Sequence, residues 1–138
     1  MYQKDYILRL IEQAAVFIAE VLKLIKKGEL SEASERLNSI YYDILREDSA
    51  YFRNIPENEL TDKLLEHHNY TNGHLEILAG LFNAEAELNM SMGKKMECLE
   101  YSRKALLLYE FVDRENRTYS AERLKTMEDI RDRLKQPG

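Results

Sequence analysis

One short phrase occurs twice in this 138-residue chain, and it constrains the fold more than any other feature. Residues 17–20 read Phe-Ile-Ala-Glu and residues 82–85 read Phe-Asn-Ala-Glu, and each phrase is followed at the same spacing by a glycine, Gly28 or Gly93. The offset between the two copies is 65 residues. Helical hairpins that recur along a chain stack on one another, because no single hairpin can bury its apolar face alone. The repeat therefore predicts stacked antiparallel hairpins of helices.

The composition favours helices throughout the chain. Two prolines and five glycines are too few turn residues for a β-sandwich or a barrel, and good helix formers are abundant. We therefore expect an all-α fold of about six helices, in a single domain that spans residues 1–138. Cys98 is the only cysteine, and its apolar setting predicts a small buried side chain rather than a reactive thiol.

The spacing of apolar residues predicts where the first helices lie. Apolar residues recur every three or four positions from 5 to 27 and again from 30 to 46. Gly28 lies between the two segments, and glycine readily adopts the left-handed conformation that ends a helix. The first helix has apolar residues on more than one side, so we expect it to have neighbours on two sides.

The pattern is less regular in the rest of the chain. Residues 47–55 predict a loop, and a short helix is expected from Pro56 to about His67. Residues 69–73 predict a turn before a second long helix, which ends at Gly93. The predicted hairpins span about 5–46, 57–92 and 95–135.

The last helix has one narrow apolar stripe among many charged residues. Ser120 precedes it, and a serine side chain can accept a hydrogen bond from the first turn of a helix. A helix with a single apolar side suits the end of a stack, so we expect it to cap the array.

Part of the second copy resembles a known repeat. Residues 93–106 run from a glycine turn through small Cys98 and aromatic Tyr101 to Lys-Ala-Leu, and this order resembles the second half of a tetratricopeptide repeat. Residues 28–33 resemble the same turn. The chain departs from the pattern where polar residues such as Glu85 occupy positions that are usually apolar. The offset is slightly under two periods of about 34 residues, so a degenerate middle unit around the short helix would fill the gap.

The start of the chain carries a second resemblance. Residues 1–12 and the hairpin after them resemble a family of small bacterial proteins classified as a domain of unknown function with tetratricopeptide-like helices. The similarity would cover nearly the whole chain. It implies a right-handed array or bundle of tetratricopeptide-like hairpins in the bacterial cytoplasm, and it supplies no catalytic residues.

Charge and hydropathy weigh against two classes of partner. The net charge of −5 repels a phosphate backbone, and no basic stripe with interleaved aromatic residues offsets it. The longest apolar stretch, residues 14–18, is far too short to span a bilayer or to form the core of a signal peptide. We expect a cytoplasmic protein that binds neither nucleic acid nor membranes.

The three histidines are the only side chains that suggest a metal site. His67, His68 and His74 lie in or beside one turn, near Glu66 and Glu76, but their spacing fits no established metal site. No Glu-x-x-His pair of the di-iron type occurs in the sequence. We therefore predict no metal, no cofactor and no catalytic residues.

Absent motifs weigh further against an enzyme. The sequence contains no Walker glycine loop, dinucleotide fingerprint, Cys-x-x-Cys pair or nucleophile elbow. Each absence removes an enzyme class that depends on the motif.

Glu20 and Glu85 are repeated carboxylates in apolar surroundings. One interpretation is that each meets a Lys or Arg of a following helix, with Arg103 or Lys104 as the partner of Glu85. The alternative is a ligand-binding or catalytic helical bundle, in which a polar cavity between the two long helices contains Glu20 or Glu85.

Contact surfaces are the remaining predicted sites. In the tetratricopeptide register, Asn83, Glu87 and Met90 line the concave side of the second copy and could bind a partner. Tyr51 and Phe52 form an aromatic pair in the predicted loop and are a second candidate contact.

The first copy presents a more apolar strip on the same side. Ile18, Leu22 and Ile25 belong to this strip, which another helix or a second subunit would have to cover. Phe17 and Phe82 are expected to be buried at equivalent places in the two hairpins. The sequence thus predicts a non-enzymatic helical-repeat protein that mediates protein–protein interaction, with a structural homodimer as another alternative.

Overall fold

The computed structural model describes residues 2–67, 70–116 and 120–135. Within these ranges the chain forms seven α-helices and one 3-10 turn and contains no strand, so the expected all-α fold is confirmed. The elements are α1 (Tyr2–Lys26), α2 (Leu30–Leu45), α3 (Ser49–Arg53), the 3-10 turn (Glu57–Glu59), α4 (Leu60–His67), α5 (Asn72–Ser91), α6 (Lys95–Asn116) and α7 (Ala121–Lys135).

The hairpins α1–α2 and α5–α6 are closed by the same turn. Gly28 and Gly93 have left-handed backbones, with φ of 81° and 78°. The amide after each glycine donates to the carbonyl five residues earlier, at 3.0 Å after Gly28 and 2.8 Å after Gly93. These bonds satisfy carbonyl groups that the helix end leaves free, as in a Schellman motif. The repeated phrase is therefore matched by a repeated backbone geometry.

Helix α5 lies at the centre of the fold. It packs against α1, α2 and α6, while α7 packs against α6. Helix α4 contacts α6 and the 3-10 turn. The expected degenerate middle unit between the two hairpins is therefore wrong, because α5 packs directly against α1 and α2, and residues 47–67 form an excursion beside them.

Residues 47–55 were expected to be a loop, and this prediction is wrong in part. They contain helix α3, and Phe52 on it is completely buried. The Phe52 ring stacks near Tyr41 and Tyr70, with centroid distances of 5.7 and 6.4 Å. Phe52 is thus a core residue and not an exposed contact. A helix of five residues is too short to show a helical period in the sequence.

Helix α1 packs against both α2 and α5, so the neighbours expected on two sides are present. Ala14 and Val21 are buried, but Val16 remains 59% exposed and Leu8 49% exposed. Phe82 on α5 is completely buried as expected. Phe17 is only partly buried, beneath the Arg36 guanidinium at 4.4 Å from its ring centroid, so the expectation of equal burial is wrong for α1.

Three local predictions agree with the structure. The Ser120 hydroxyl accepts a hydrogen bond from the Arg123 amide at 3.2 Å, at the start of α7. Cys98 is buried. Across the described ranges, no helix is both long enough and apolar enough to cross a membrane.

Candidate functional site

Glu85 is the most deeply buried carboxylate of the fold among the described residues, at 3% exposure. Its Oε2 accepts hydrogen bonds from the Tyr41 hydroxyl at 2.9 Å and from Arg53 Nε at 2.6 Å. The predicted partners Arg103 and Lys104 are therefore wrong. Arg53 lies on α3, which the sequence pattern did not reveal, so the true partner could not be named from sequence.

The hydrogen bonds around Glu85 continue through Arg53 to Asn38 and Lys104. Arg53 Nη2 donates to Asn38 Oδ1 at 2.6 Å, and Lys104 Nζ donates to the Arg53 carbonyl at 3.1 Å. Asn89 Nδ2 donates to the Glu85 carbonyl at 2.8 Å. No buried side-chain nitrogen or oxygen of the described chain lacks a partner. We interpret this cluster as a structural network.

The titration of the neighbouring tyrosines agrees with this interpretation. Burial and the Glu85 carboxylate raise the pKa of Tyr41 well above its usual value of 10.0. The same two causes raise the pKa of Tyr101 to about 12. Phenols with such pKa values keep their protons near neutral pH and do not suit general-base catalysis.

Glu20 occupies the equivalent position in the first copy but a different environment. Its side chain is 56% exposed, and its Oε1 lies 3.5 Å from Arg36 Nη2 on α2. This contact matches the predicted pairing with a basic residue of the following helix. The two glutamates differ in burial because α1, α2 and α6 all pack against α5, whereas the outer side of α1 is exposed at Val16.

A groove runs along α1 and contains most of the predicted contact residues. A cavity of about 370 Å³ lies between α1, α5, α6 and α7. A neighbouring cavity of about 830 Å³ shares Ala19 and Leu22 with it. We call the two together the α1 groove. Its lining includes the predicted residues Ile18, Leu22, Ile25, Asn83 and Glu87, together with Ala15, Ala19, Glu20, Glu76, Gly80, Tyr109 and Arg123.

Three predicted contact residues, Met90, Tyr51 and the buried Phe52, lie outside the α1 groove. Met90 is 44% exposed and lines a separate small cavity at the α5–α6 turn. Tyr51 lies on α3 against the Phe52 ring. The alternative hypothesis placed Glu20 or Glu85 in a cavity between the two long helices. Glu85 lines neither cavity of the groove, whereas Glu20 lines the 830 Å³ cavity and Glu76 lines the 370 Å³ cavity.

The polar end of the 370 Å³ cavity is formed by residues that the sequence did not single out. Tyr109 is 8% exposed, and its hydroxyl has no hydrogen-bonding partner among the residues that the structure describes. Arg123 is 5% exposed, with Nη2 at 3.0 Å from Asp113 Oδ1 and Nη1 at 3.8 Å from Glu76 Oε2. Burial raises the pKa of Glu76, and Arg123 offsets part of that rise.

One sequence signal could have revealed part of this site. Arg123 is in register with Met127 and Ile130 on the buried side of α7. A charged residue on a narrow apolar stripe requires a buried partner, so its spacing alone indicates a polar site. Tyr109 gives no such signal, because a tyrosine within an apolar helix is ordinary.

The histidines show one structural role. His74 Nδ1 accepts a hydrogen bond from the Thr71 amide at 3.0 Å, and its ring stacks on Tyr70 at 4.6 Å. His74 therefore caps the start of α5. The His67 side chain and His68 lie outside the described residues. No group of His, Cys, Asp and Glu in the described chain is arranged to hold a metal ion.

The α1 groove combines an apolar floor with a few polar groups, which is typical of a binding site. In comparisons with known proteins, no family model, curated protein or solved structure is significantly similar to this chain. The function is therefore inferred from the geometry of the groove.

Proposed function

We propose that this chain is a non-enzymatic, tetratricopeptide-like helical-repeat protein that binds a protein partner in the α1 groove, in the bacterial cytoplasm. One observation carries the proposal: α1 and α5, the first helices of the two hairpins, line a single groove together with α7. In stacked helical hairpins, extended concave surfaces of this kind recognise partners. Helix α1 packs against α2 and α5, α5 packs against α6, and α6 packs against α7. This order of packing supports a stack of helical hairpins.

The lining of the groove suits an amphipathic helix. Ile18, Leu22 and Ile25 supply a half-buried apolar floor. Small side chains at Ala15 and Ala19 let another backbone approach closely. A helix that places one apolar face in such a groove is a common mode of peptide recognition.

Site-specific photo-crosslinking tests the proposal. A photoreactive residue at position 19 lies in the groove, and one at position 43 lies on the exposed side of α2. We expect the same protein to crosslink from position 19 in the source cells and not from position 43. Ala19→Arg should abolish copurification of that protein, while Asp43→Arg should not. Equal crosslinking from both positions would contradict a groove-specific partner.

A homodimer through α1 is a second candidate, and the repeat offset favours it. Val16 and Ala19 are exposed, but their counterparts 65 residues later, Leu81 and Ala84, are completely buried. The outer face of α1 therefore corresponds to a face that is covered on α5. A second copy of the chain could provide the missing cover.

Light scattering over a range of concentrations tests the dimer. Val16→Glu changes an exposed residue, so the monomer should still fold, whereas Ile18 and Leu22 are half-buried and their replacement could unfold it. We expect a wild-type dimer and a Val16→Glu monomer with the same helical circular dichroism, and Glu12→Gln should remain a dimer. A wild-type chain that stays monomeric at every concentration would exclude this candidate.

A further inference from the structure

Tyr109 presents its hydroxyl to the 370 Å³ cavity. The residue is 8% exposed, it lines the cavity, and its hydroxyl makes no hydrogen bond within the described part of the chain. The oxygen lies 3.5 Å from where a Cβ on Gly80 would be, so it is close to the α5 backbone. No fully buried side-chain oxygen of the described chain lacks a partner, so this hydroxyl opens into the cavity and is able to bond to an occupant there.

The charges around the cavity favour a cationic occupant. The carboxylates of Glu76 and Glu122 line the cavity, and Asp113 forms an ion pair with Arg123. Arg123 is engaged by Asp113 through Nε at 3.1 Å and Nη2 at 3.0 Å. Its Nη1 is 3.8 Å from Glu76 Oε2, which is too long for a hydrogen bond. The Glu76 carboxylate is therefore able to accept hydrogen bonds from a ligand.

The shape of the cavity favours an apolar stem. Ile11, Ile18 and Ile77 contribute to its walls. A Cβ at Gly80 would lie 3.1 Å from Ile18 Cδ1, closer than nine in ten contacts of real side chains, so the glycine lets Ile18 pack closely on α5 at the cavity wall. A short alkyl chain fits against such walls with its polar end towards Tyr109 and Glu76.

We infer that this cavity binds a primary ammonium group carried on an apolar stem. An ammonium group is compact and has three donors, which match the Tyr109 hydroxyl and the Glu76 carboxylate. A free alkylamine and the lysine side chain of a protein partner share this chemistry. The inference does not depend on the protein partner proposed above, because a free amine suffices.

Titration with n-hexylammonium tests the inference, with amide NMR shifts as the readout. We expect saturable shifts centred on Gly80 and Tyr109. Hexanoate and hexanol have the same stem without the cation, and they should give weaker shifts or none. A lack of saturation with n-hexylammonium, or equal binding of hexanoate, would overturn the inference.

Isosteric variants identify the atoms involved. Tyr109→Phe and Glu76→Gln should each weaken n-hexylammonium binding about tenfold, the usual effect of losing a hydrogen bond to a charged group. Glu12→Gln, on the exposed surface of α1 and outside the cavity, is the matched control and should bind like the wild type. Unchanged affinity in both cavity variants would overturn the assignment.

A second ligand distinguishes the two sources of the ammonium group. A capped lysine peptide that binds more tightly than n-hexylammonium would identify a partner side chain as the natural ligand, and the reverse order would identify a free amine. Both outcomes support the inference. If no protein crosslinks in the groove but n-hexylammonium binds, the partner proposal fails while this inference stands.

Discussion

Glu85 shows how a single carboxylate connects three parts of the fold. Tyr41 on α2 and Arg53 on α3 both donate to it, so α2, α3 and α5 meet at one atom, Oε2. Ionised groups in the interior are costly unless both charges and their hydrogen bonds are satisfied. Burial alone would lower the pKa of Arg53, but the Glu85 carboxylate more than offsets this and raises it above its usual value. Arg53 therefore stays charged, and its hydrogen bond to Glu85 holds the excursion after α2 in place.

The two repeated glutamates should differ in their effect on stability. Glu85→Ala leaves the Arg53 charge and the buried Tyr41 hydroxyl without their partner, and should lower the free energy of unfolding by about 3–5 kcal/mol. Glu20→Ala removes only an exposed ion pair and should cost less than about 1 kcal/mol. Urea denaturation measures both values. Similar losses for the two variants would mean that the Glu85 network is not formed.

His74 should make the stability depend on pH. Burial lowers its pKa from 6.5, and its Nδ1 must be unprotonated to accept the Thr71 hydrogen bond. Below pH 6.5 the unfolded chain binds a proton more readily than the folded chain. Stability should therefore fall as the pH decreases from about 6.5 through the lower folded pKa, and should recover as the pH rises.

Comparison with His74→Gln isolates this contribution. Thermal unfolding between neutral and mildly acidic pH should show a smaller loss of stability in the variant than in the wild type. A loss of the same size in both proteins would assign the pH dependence to other groups.

At the scale of helices, the ends of the elements are set by backbone conformation. Gly28 and Gly93 adopt positive φ, and a Cβ on either residue would meet no atom within 4 Å. Arg46 ends α2 in the same left-handed region, at φ 63°, although it is not a glycine. Two of the three positions are glycines and one is an arginine, but all three require the same left-handed backbone.

Replacing either glycine should therefore lower the stability of the chain, whereas replacing Arg46 by glycine should raise it. Gly28→Ala and Gly93→Ala should each cost about 1–2 kcal/mol, because only the left-handed backbone is penalised. Arg46→Gly removes the same penalty and should stabilise the chain by up to about 1 kcal/mol. Chemical denaturation gives all three values. An Arg46→Gly variant that is less stable than the wild type would contradict the assigned strain.

The sequence predicted the elements that depend on local signals. The Gly28 and Gly93 turns and the Ser120 cap are encoded within a few residues, and the structure agrees with them. Helix α3 could not be predicted, because five residues do not complete a helical pattern. The Glu85–Arg53 pair and the polar end of the cavity join residues far apart in the chain, so tertiary packing determines them.

At the scale of the whole molecule, burial is concentrated in α5. Eleven of its residues are buried, including the polar Glu85 and Asn89, because α1, α2 and α6 all pack against it. Helix α7 has only three buried residues, Arg123, Met127 and Ile130, and packs on α6. Local stability should follow the same order.

Native-state hydrogen exchange tests this order. Amides of residues 75–89 should exchange most slowly, at the rate set by global unfolding, since opening α5 disrupts its packing against α1, α2 and α6. Amides of α7 should exchange faster through partial opening, because its interface is a single narrow stripe. Equal protection of α5 and α7 would indicate that the chain opens only as one unit.

The excursion between α2 and α5 also affects how the chain folds during synthesis. The first hairpin is complete once residue 45 has left the ribosome, but α5, against which α1 packs, begins only at residue 72. Domains fold as their residues emerge, and exposed apolar faces are prone to association in the meantime. The apolar side of α1 is therefore covered by α5 only after the whole excursion and α5 have been translated, so the nascent first hairpin is the stage at which this apolar side is most exposed to association.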